Sequence, residues 1–146
     1  MLNNPIGKGQ STTEKTLCII PARGGSQRIP HKNIKPFLGR PIITYSIAVA
    51  LESELFDEVM VSTEDVNIAK IAKKNGASIP FIRSQKNADD HATTVDVVKE
   101  VLRSYERLGQ VFNTICIMYA TAPFVTVQKL QEGYQKLNNY DAAMPV

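Results

Sequence analysis

The sequence contains no tryptophan and has only two cysteines and two histidines among its 146 residues. Cys18 and Cys116 lie in separate apolar, β-branched segments, where a free cysteine is usually a small buried core residue. A disulfide between them requires that the two segments form neighbouring strands. Neither residue type has the spacing of a zinc site, so the sequence predicts reduced thiols and no metal cluster of its own.

Long apolar segments are also missing. No apolar run approaches the ~20 residues that a helix needs to cross a bilayer, and we therefore expect no membrane partner. Residues 1–15 are polar and lack the apolar centre of a secretory signal, which favours a cytoplasmic location. We expect residues 1–15 to form a flexible lead and residues 16–146 to form a single domain.

The charge is modest, with a net value of +3, and this alone does not indicate a nucleic-acid partner. Its distribution is uneven, however. The stretch 15–51 holds six basic residues and no acidic one. Because these charges cluster beside glycines instead of along a helix face, they favour a small polyanion over a nucleic-acid duplex.

β-Branched segments alternate with helical patterns along the chain. Strands are predicted at Thr16–Ala22, Asp57–Ser62, Ser78–Ile82 and Asn113–Tyr119, with a fifth beginning at Asp141. Helices are predicted to begin at Pro41, after a cap at Thr63, at Thr93 or Thr94, and after a cap at Thr126. This alternation predicts βαβ units and hence an α/β fold, a doubly wound parallel sheet covered on both faces.

The most informative segment is the glycine–arginine loop, which we define as residues 21–35 (PARGGSQRIPHKNIK). It follows the first strand, at the end of a parallel sheet where ligands usually bind. Gly24 and Gly25 allow a close backbone approach to a phosphate, and Arg23, Arg28 and Lys32 can neutralise one. The loop matches neither the Walker A pattern nor the dinucleotide fingerprint. The alternative is a tight turn with solvated arginines.

Several motifs in order resemble the cytidylyltransferases that activate sialic acid and its relatives. They are Ile19–Ser26, Arg28–Pro30, Lys32–Asn33, Gly39–Ile42, Asp57–Thr63 and Gly76–Ala77. Three later motifs are most similar to the pseudaminic acid branch: Pro80–Ser84, Asp90–Thr94 and Thr121–Phe124. The resemblance implies a Rossmann-like nucleotidyltransferase sheet and runs from Thr16 to the end of the chain.

The resemblance also implies roles for individual residues. Arg23 and Lys32 are implied to be catalytic. The residues implied to bind CTP are Ala22, Arg23, Gly24, Gly25, Ser26, Arg28, Lys32, Asn33, Arg83, Ala92 and Thr94. Those implied to contact the sugar acid are Tyr119 and Thr121. Sialic acid enzymes have glutamine where this chain has Tyr119, which favours a different nine-carbon acid.

The implied reaction is attack of a nonulosonic sugar acid on CTP to form a CMP-sugar and pyrophosphate. Mg²⁺ is the implied cofactor, and we expect its carboxylate ligands, much of the sugar pocket and the dimer-forming extension to lie beyond Val146. The chain would then act as a homodimer or with a complementing chain.

Other possibilities stay open. The chain could be an inactive nucleotide-binding module, a self-associating fragment, or a relative of the enzyme that activates 3-deoxy-octulosonate. Asp89 and Asp90 either orient Arg83 or a metal-bound water, or simply lead into a helix.

Overall fold

The computed structural model describes residues 14–144. The strands are β1 (Thr16–Pro21), β2 (Pro36–Phe37), β3 (Arg40–Pro41), β4 (Glu58–Ser62) and β5 (Thr114–Ile117). The helices are α1 (Ile43–Glu52), α2 (Val66–Lys74), α3 (Gln85–Ala88), α4 (Thr94–Arg107) and α5 (Val127–Lys136), with a 3-10 turn at Lys32–Ile34. Most of the flexible lead predicted for residues 1–15 lies outside the described residues.

The main sheet is parallel and has the order β4-β1-β5. In its register Cys18 of β1 lies opposite Val59 of β4 and Cys116 of β5. β1 is therefore the central strand, and its residues Leu17 to Ile20 have no exposed surface. Such a continuous apolar strand is typical of a parallel sheet that is covered on both faces.

Helices cover both faces of this sheet, which confirms the predicted α/β fold. Cys18 and Ile20 point into one core, which α1, α2 and α5 cover. Leu17 and Ile19 point into a second core beneath α4. In that core the Tyr105 ring packs edge-on against two other aromatic rings, and its hydroxyl donates to Glu58 Oε1 at 2.8 Å. None of the helices described between residues 14 and 144 has the length and apolarity to cross a membrane.

The strand order places the glycine–arginine loop at the point where the topology reverses. From β1 the chain passes to β4 on one side of it and later to β5 on the other side. A crevice opens at the carboxyl end of such a central strand. The loop leaves β1 at this end, so the fold brings it beside the loops that follow β4 and β5.

Two predicted elements differ in the structure. The segment Ser78–Ile82 makes only a single bridge, between Ser78 and Met60. Pro80 lies two residues after Ser78 and has no N–H with which to continue the strand pairing. Pro41 does not begin a helix but pairs with Pro36 in the short hairpin β2–β3, and α1 begins at Ile43.

Two further predictions fail at helix and strand ends. Asp65, rather than Thr63, caps α2 by accepting the backbone N–H groups of Asn67 and Ile68. The strand expected from Asp141 onward is not formed in residues 141–144, and its last two residues lie outside the described residues.

Candidate nucleotide site at the carboxyl end of the sheet

The two ends of the glycine–arginine loop are held by buried groups. Ala22 has no exposed surface, and its N–H donates to the carbonyl of Ser62 at 2.9 Å, which joins the ends of β1 and β4. Asn33 is also buried, and its Nδ2 donates to the carbonyl of Arg23 at 2.9 Å. The loop therefore closes on itself instead of extending into solvent.

Gly24 packs against the first turn of α2. A Cβ atom at this position would lie 2.6 Å from Asp65 Oδ2, so only glycine fits. Its N–H donates to Glu64 Oε1 at 2.6 Å, and Glu64 Oε2 is buried with no hydrogen-bond partner among residues 14–144. The sequence predicts that this N–H faces a phosphate, but the structure directs it to a carboxylate of the protein itself. Gly25, in contrast, is exposed, and a Cβ added there would meet no atom within 4 Å.

Arg23 forms an ion pair across the site. Its Nη1 donates to Oδ1 of Asp90, while Gln27 Nε2 donates to Oδ2 of the same carboxylate. The hypothesis that Asp90 orients Arg83 is therefore wrong, because Asp90 bonds to Arg23 instead. Asp89 accepts the N–H groups of two residues that follow it and forms a turn.

Arg83 is a buried cation at the carboxyl end of β4. Only 5% of it is exposed; its Nε donates to Ser62 Oγ at 3.0 Å and its Nη2 to the Ser62 carbonyl at 2.7 Å. Burial lowers the pKa of the Arg83 guanidinium, whereas the Glu64 and Glu100 carboxylates oppose this shift. The positive charge of Arg23 also lowers that pKa.

Ala92 and Thr94 lie on the segment that leads from Asp90 into α4. The Ala92 N–H donates to Asp89 Oδ1 at 2.9 Å, and Thr94 is the first residue of the helix. Thr93 caps α4 in a reciprocal capping box with Asp96, which confirms the predicted helix start. Hydrogen bonds from Thr93 lower the pKa of the Asp96 carboxyl.

The other candidate groups of the loop face solvent or lie at its margin. Arg28 and Lys32 are exposed, and Ser26 is partly buried. Ser26 Oγ accepts the N–H of Ile29 at 3.4 Å, a long and weak contact. These cations are accessible to an anion in the crevice.

Tyr119 and Thr121 follow β5 and so leave the same edge of the sheet as the loop. The Tyr119 side chain is 65% exposed, and its carbonyl accepts the Ser46 hydroxyl at 2.8 Å. Among residues 14–144, no hydrogen bond joins either side chain to the glycine–arginine loop. The fold brings them to the crevice edge, and within residues 14–144 their side chains form no hydrogen bond with Arg23 or Arg83.

Two contacts in this site are missing from the sequence predictions. From the sequence, Glu64 is only an acid in the first turn of a helix, and Gln27 has no role. The sequence does carry one signal for the Glu64 contact. Glu64 follows closely after β4, and β4 lies next to β1, the strand that precedes the loop. Gln27 has no such signal, since its partner Asp90 lies 63 residues away.

Comparisons with known proteins agree with this geometry. The family described as "Cytidylyltransferase" matches residues 17–144. A CMP:2-keto-3-deoxy-manno-octonic acid synthetase, solved with CTP, superposes with a TM-score of 0.72 at 23% identity, covering 88% of this chain and 49% of that one. A cytidylyltransferase from Leptospira borgpetersenii gives a TM-score of 0.64 at 25% identity, covering 86% of this chain and 50% of the other.

Curated relatives are more similar in sequence. A pseudaminic acid cytidylyltransferase from Campylobacter jejuni is 47% identical over 122 residues, which are 84% of this chain and 53% of the relative. A CMP-N,N'-diacetyllegionaminic acid synthase from Legionella pneumophila is 36% identical over 110 residues, 75% of this chain and 47% of the relative. The chain thus spans about half the length of the curated relatives it matches. On the match over residues 17–144, the chain belongs to the cytidylyltransferase family.

Proposed function

We propose that this chain supplies the nucleotide-binding half of a CTP-dependent enzyme that activates a nonulosonic sugar acid. The product is the CMP-sugar, and pyrophosphate is released. The observation that carries the proposal is the position of the glycine–arginine loop at the topological switch, where the Ser62 carbonyl accepts both the Ala22 N–H of the loop and Nη2 of the buried Arg83. The similarity to a pseudaminic acid cytidylyltransferase supports pseudaminic acid over sialic acid as the substrate.

The proposed division of the site follows from burial and charge. The exposed cations Arg28 and Lys32, together with Arg23, take the triphosphate, because they are the basic groups accessible at the crevice. Ser26, Gly25 and the exposed backbone beside them add neutral donors. The base is framed by Ala22, Arg83, Ala92 and Thr94, and Asn33 holds the loop closed around the ribose. Tyr119 and Thr121 face the sugar acid.

The chemistry required of these residues is mainly positioning and charge stabilisation. The anomeric hydroxyl oxygen of the sugar acid gives up its proton to solvent and forms a bond to the α-phosphorus of CTP. The bond from that phosphorus to the bridging oxygen breaks, and pyrophosphate leaves with the electron pair. Arg23 and Lys32 stabilise the negative charge that develops on the leaving group.

The resemblance implies magnesium, but the described part of the chain contains no set of side chains that could bind it. No group of three histidine, cysteine or acidic side chains between residues 14 and 144 could hold a metal ion. Of the acidic side chains near the loop, Asp90 is engaged by Arg23 and Gln27, Asp65 caps α2, and Glu64 accepts the Gly24 N–H with one oxygen. The other oxygen of Glu64 is buried, and a single oxygen is not a ligand set for magnesium. No step is therefore assigned to a metal held by these residues. A homodimer or complementing chain and a cytoplasmic location belong to the same proposal.

The test begins with CTP binding by calorimetry and continues with pyrophosphate release in the presence of Mg²⁺ and pseudaminic or sialic acid. We expect CTP to bind, and Arg23→Ala to weaken binding by about 1.5–3 kcal/mol, as loss of a charged hydrogen bond does. Lys73→Ala removes a charge at the far end of α2 and is the matched control. CTP binding without pyrophosphate release would favour an inactive module. No CTP binding at all would refute the proposal.

A further inference from the structure

Asp90 uses both of its carboxylate oxygens on the glycine–arginine loop. Oδ1 accepts from Arg23 and Oδ2 from Gln27, residues that lie 67 and 63 positions earlier in the chain. A carboxylate bridging two donors in this way fixes both side chains relative to the segment that carries the carboxylate. The bridge is the direct side-chain link between the loop and the segment that leads into α4.

The segment around Asp90 is itself firmly held. On one side, Glu100 accepts the N–H of Ser84 at 2.9 Å and also bonds the side chains of Ser84 and Asn87. Burial raises the pKa of Glu100, but these hydrogen bonds outweigh it and lower the pKa below its ordinary value. On the other side stand the Asp89 turn and the capping box of α4. Asp90 thus projects from a fixed segment toward a loop.

The ion pair is built for position more than for stability. The side chains of Arg23 and Asp90 are 32% and 38% exposed, and pairs at such exposure contribute little to folding. Only one of the guanidinium nitrogens of Arg23 is engaged by Asp90. The arginine fork has five N–H donors, so the remaining ones stay directed by the pair and can bind a phosphate.

We propose that Asp90 is a positioning residue that couples the phosphate-binding loop to the base-binding segment of the nucleotide site. This inference rests on the proposed function, in which Arg23 binds phosphate and Ala92 and Thr94 frame the base. With the bridge intact, the two halves are held in one fixed relative position. A ligand that contacts both halves gains from the bridge, whereas a ligand that contacts only one half does not.

The experiment measures the affinities of CTP, cytidine and inorganic triphosphate for the whole chain by calorimetry. Asp90→Asn should weaken CTP about tenfold, within the usual range of coupling between sites. Triphosphate alone should bind to Asp90→Asn at least as tightly as to the unaltered chain, because no carboxylate then competes for Arg23. Glu106→Gln removes a negative charge from the exposed far end of α4 and should leave all three affinities unchanged. A merely structural defect would weaken triphosphate together with CTP.

Two further variants keep the inference open to refutation if Asp90→Asn is unstable. Asp90→Glu restores a carboxylate and should recover most of the CTP affinity. Gln27→Ala removes the second, exposed arm of the bridge and should weaken CTP by about threefold, a part of the full coupling. Unchanged or tighter CTP binding in Asp90→Asn, or in Gln27→Ala, would overturn the coupling role. If the unaltered chain binds triphosphate but not CTP, the proposed function fails. If the variants bind CTP normally, only the coupling role of Asp90 is refuted.

Discussion

At the scale of single residues, the two adjacent glycines of the loop have different tasks. From the sequence, Gly24 and Gly25 are equivalent, and both are expected to approach a phosphate. In the structure Gly24 is pressed against Asp65 and donates its N–H to Glu64, while Gly25 is open to solvent. Gly24 therefore holds the loop on α2, and Gly25 is the glycine whose backbone stays accessible to a ligand.

This difference predicts that two neighbouring substitutions have different effects on stability. Gly24→Ala places a methyl group 2.6 Å from Asp65 Oδ2, so the loop or the helix cap must shift. We expect a loss of about 1–3 kcal/mol in the free energy of unfolding, as in other overpacked sites. Gly25→Ala meets no atom within 4 Å and should change stability by less than ~0.5 kcal/mol. Urea denaturation of both variants measures this, and equal stabilities would contradict the packing role of Gly24.

Residue types revealed the cations of the site but not their partners. Arg23, Arg83 and Asn33 could be named in advance because motifs carry them. That Arg83 is buried on Ser62, and that Arg23 faces Asp90, depends on how β1, β4 and the 83–94 segment come together in space. No local pattern encodes contacts between residues that lie 21 and 67 positions apart.

At the scale of elements, helix starts were predictable where one residue type could serve as the cap. Thr126 caps α5 as expected, and α4 begins at Thr94, one of the two expected starts, with Thr93 as its cap. Before α2 two residues, Thr63 and Asp65, could serve as the cap; Asp65 does so, while the Thr63 hydroxyl accepts the N–H of Asp65. The sequence pattern could not rank them, since each has a suitable oxygen.

The amino ends of β1 and β4 are joined by Asp57, a contact that the sequence did not indicate. Its Oδ2 accepts the N–H of Thr16 at 2.7 Å and the Thr16 hydroxyl at 3.0 Å. The backbone bond, followed by the hydroxyl bond, lowers the pKa of the Asp57 carboxyl below its ordinary value of 3.8. The ionised carboxylate therefore aligns the two strands at the end of the sheet opposite to the nucleotide site.

This contact predicts a component of acid stability. Because the pKa of Asp57 is lower in the folded chain, its contribution is present above the unfolded value and is lost as pH falls through the folded value. In the unaltered protein the free energy of unfolding should decline below about pH 4 in part through this group. Asp57→Asn lacks the contribution and should show a shallower decline. Urea unfolding between about pH 2 and pH 7 measures both, and parallel curves would contradict the role of Asp57.

At the scale of the whole molecule, β1 is the axis of the fold. It has a hydrogen-bonded partner on each side and a core on each face. The sequence predicted this centrality only in part: its apolar run indicated a buried strand, but the order β4-β1-β5 follows from packing. The same centrality explains why the loop that leaves β1 lies at the ligand-binding edge.

The two cysteines lie on the paired strands β1 and β5 and differ in exposure. Cys18 and Cys116 face each other in register across β1 and β5, and both are free thiols. Cys18 has no exposed surface, whereas Cys116 is partly exposed. The hydrogen bond that the Cys18 thiol donates to Cys116, together with burial, raises the pKa of Cys18, and the same hydrogen bond lowers the pKa of Cys116. Since the thiolate is the reactive form, the two thiols should react very differently.

We expect a thiol reagent to modify Cys116 in the native protein and Cys18 only when the sheet opens. For a global stability of at least ~5 kcal/mol, Cys18 should be labelled about a thousandfold or more slowly than a free thiol. Its labelling rate in Cys116→Ser should rise with urea along the same slope as global unfolding, because no smaller opening exposes the central strand. Mass spectrometry of peptides identifies the labelled thiol. Urea-independent labelling of Cys18 would mean that local opening exposes β1. The central strand would then not be protected until global unfolding.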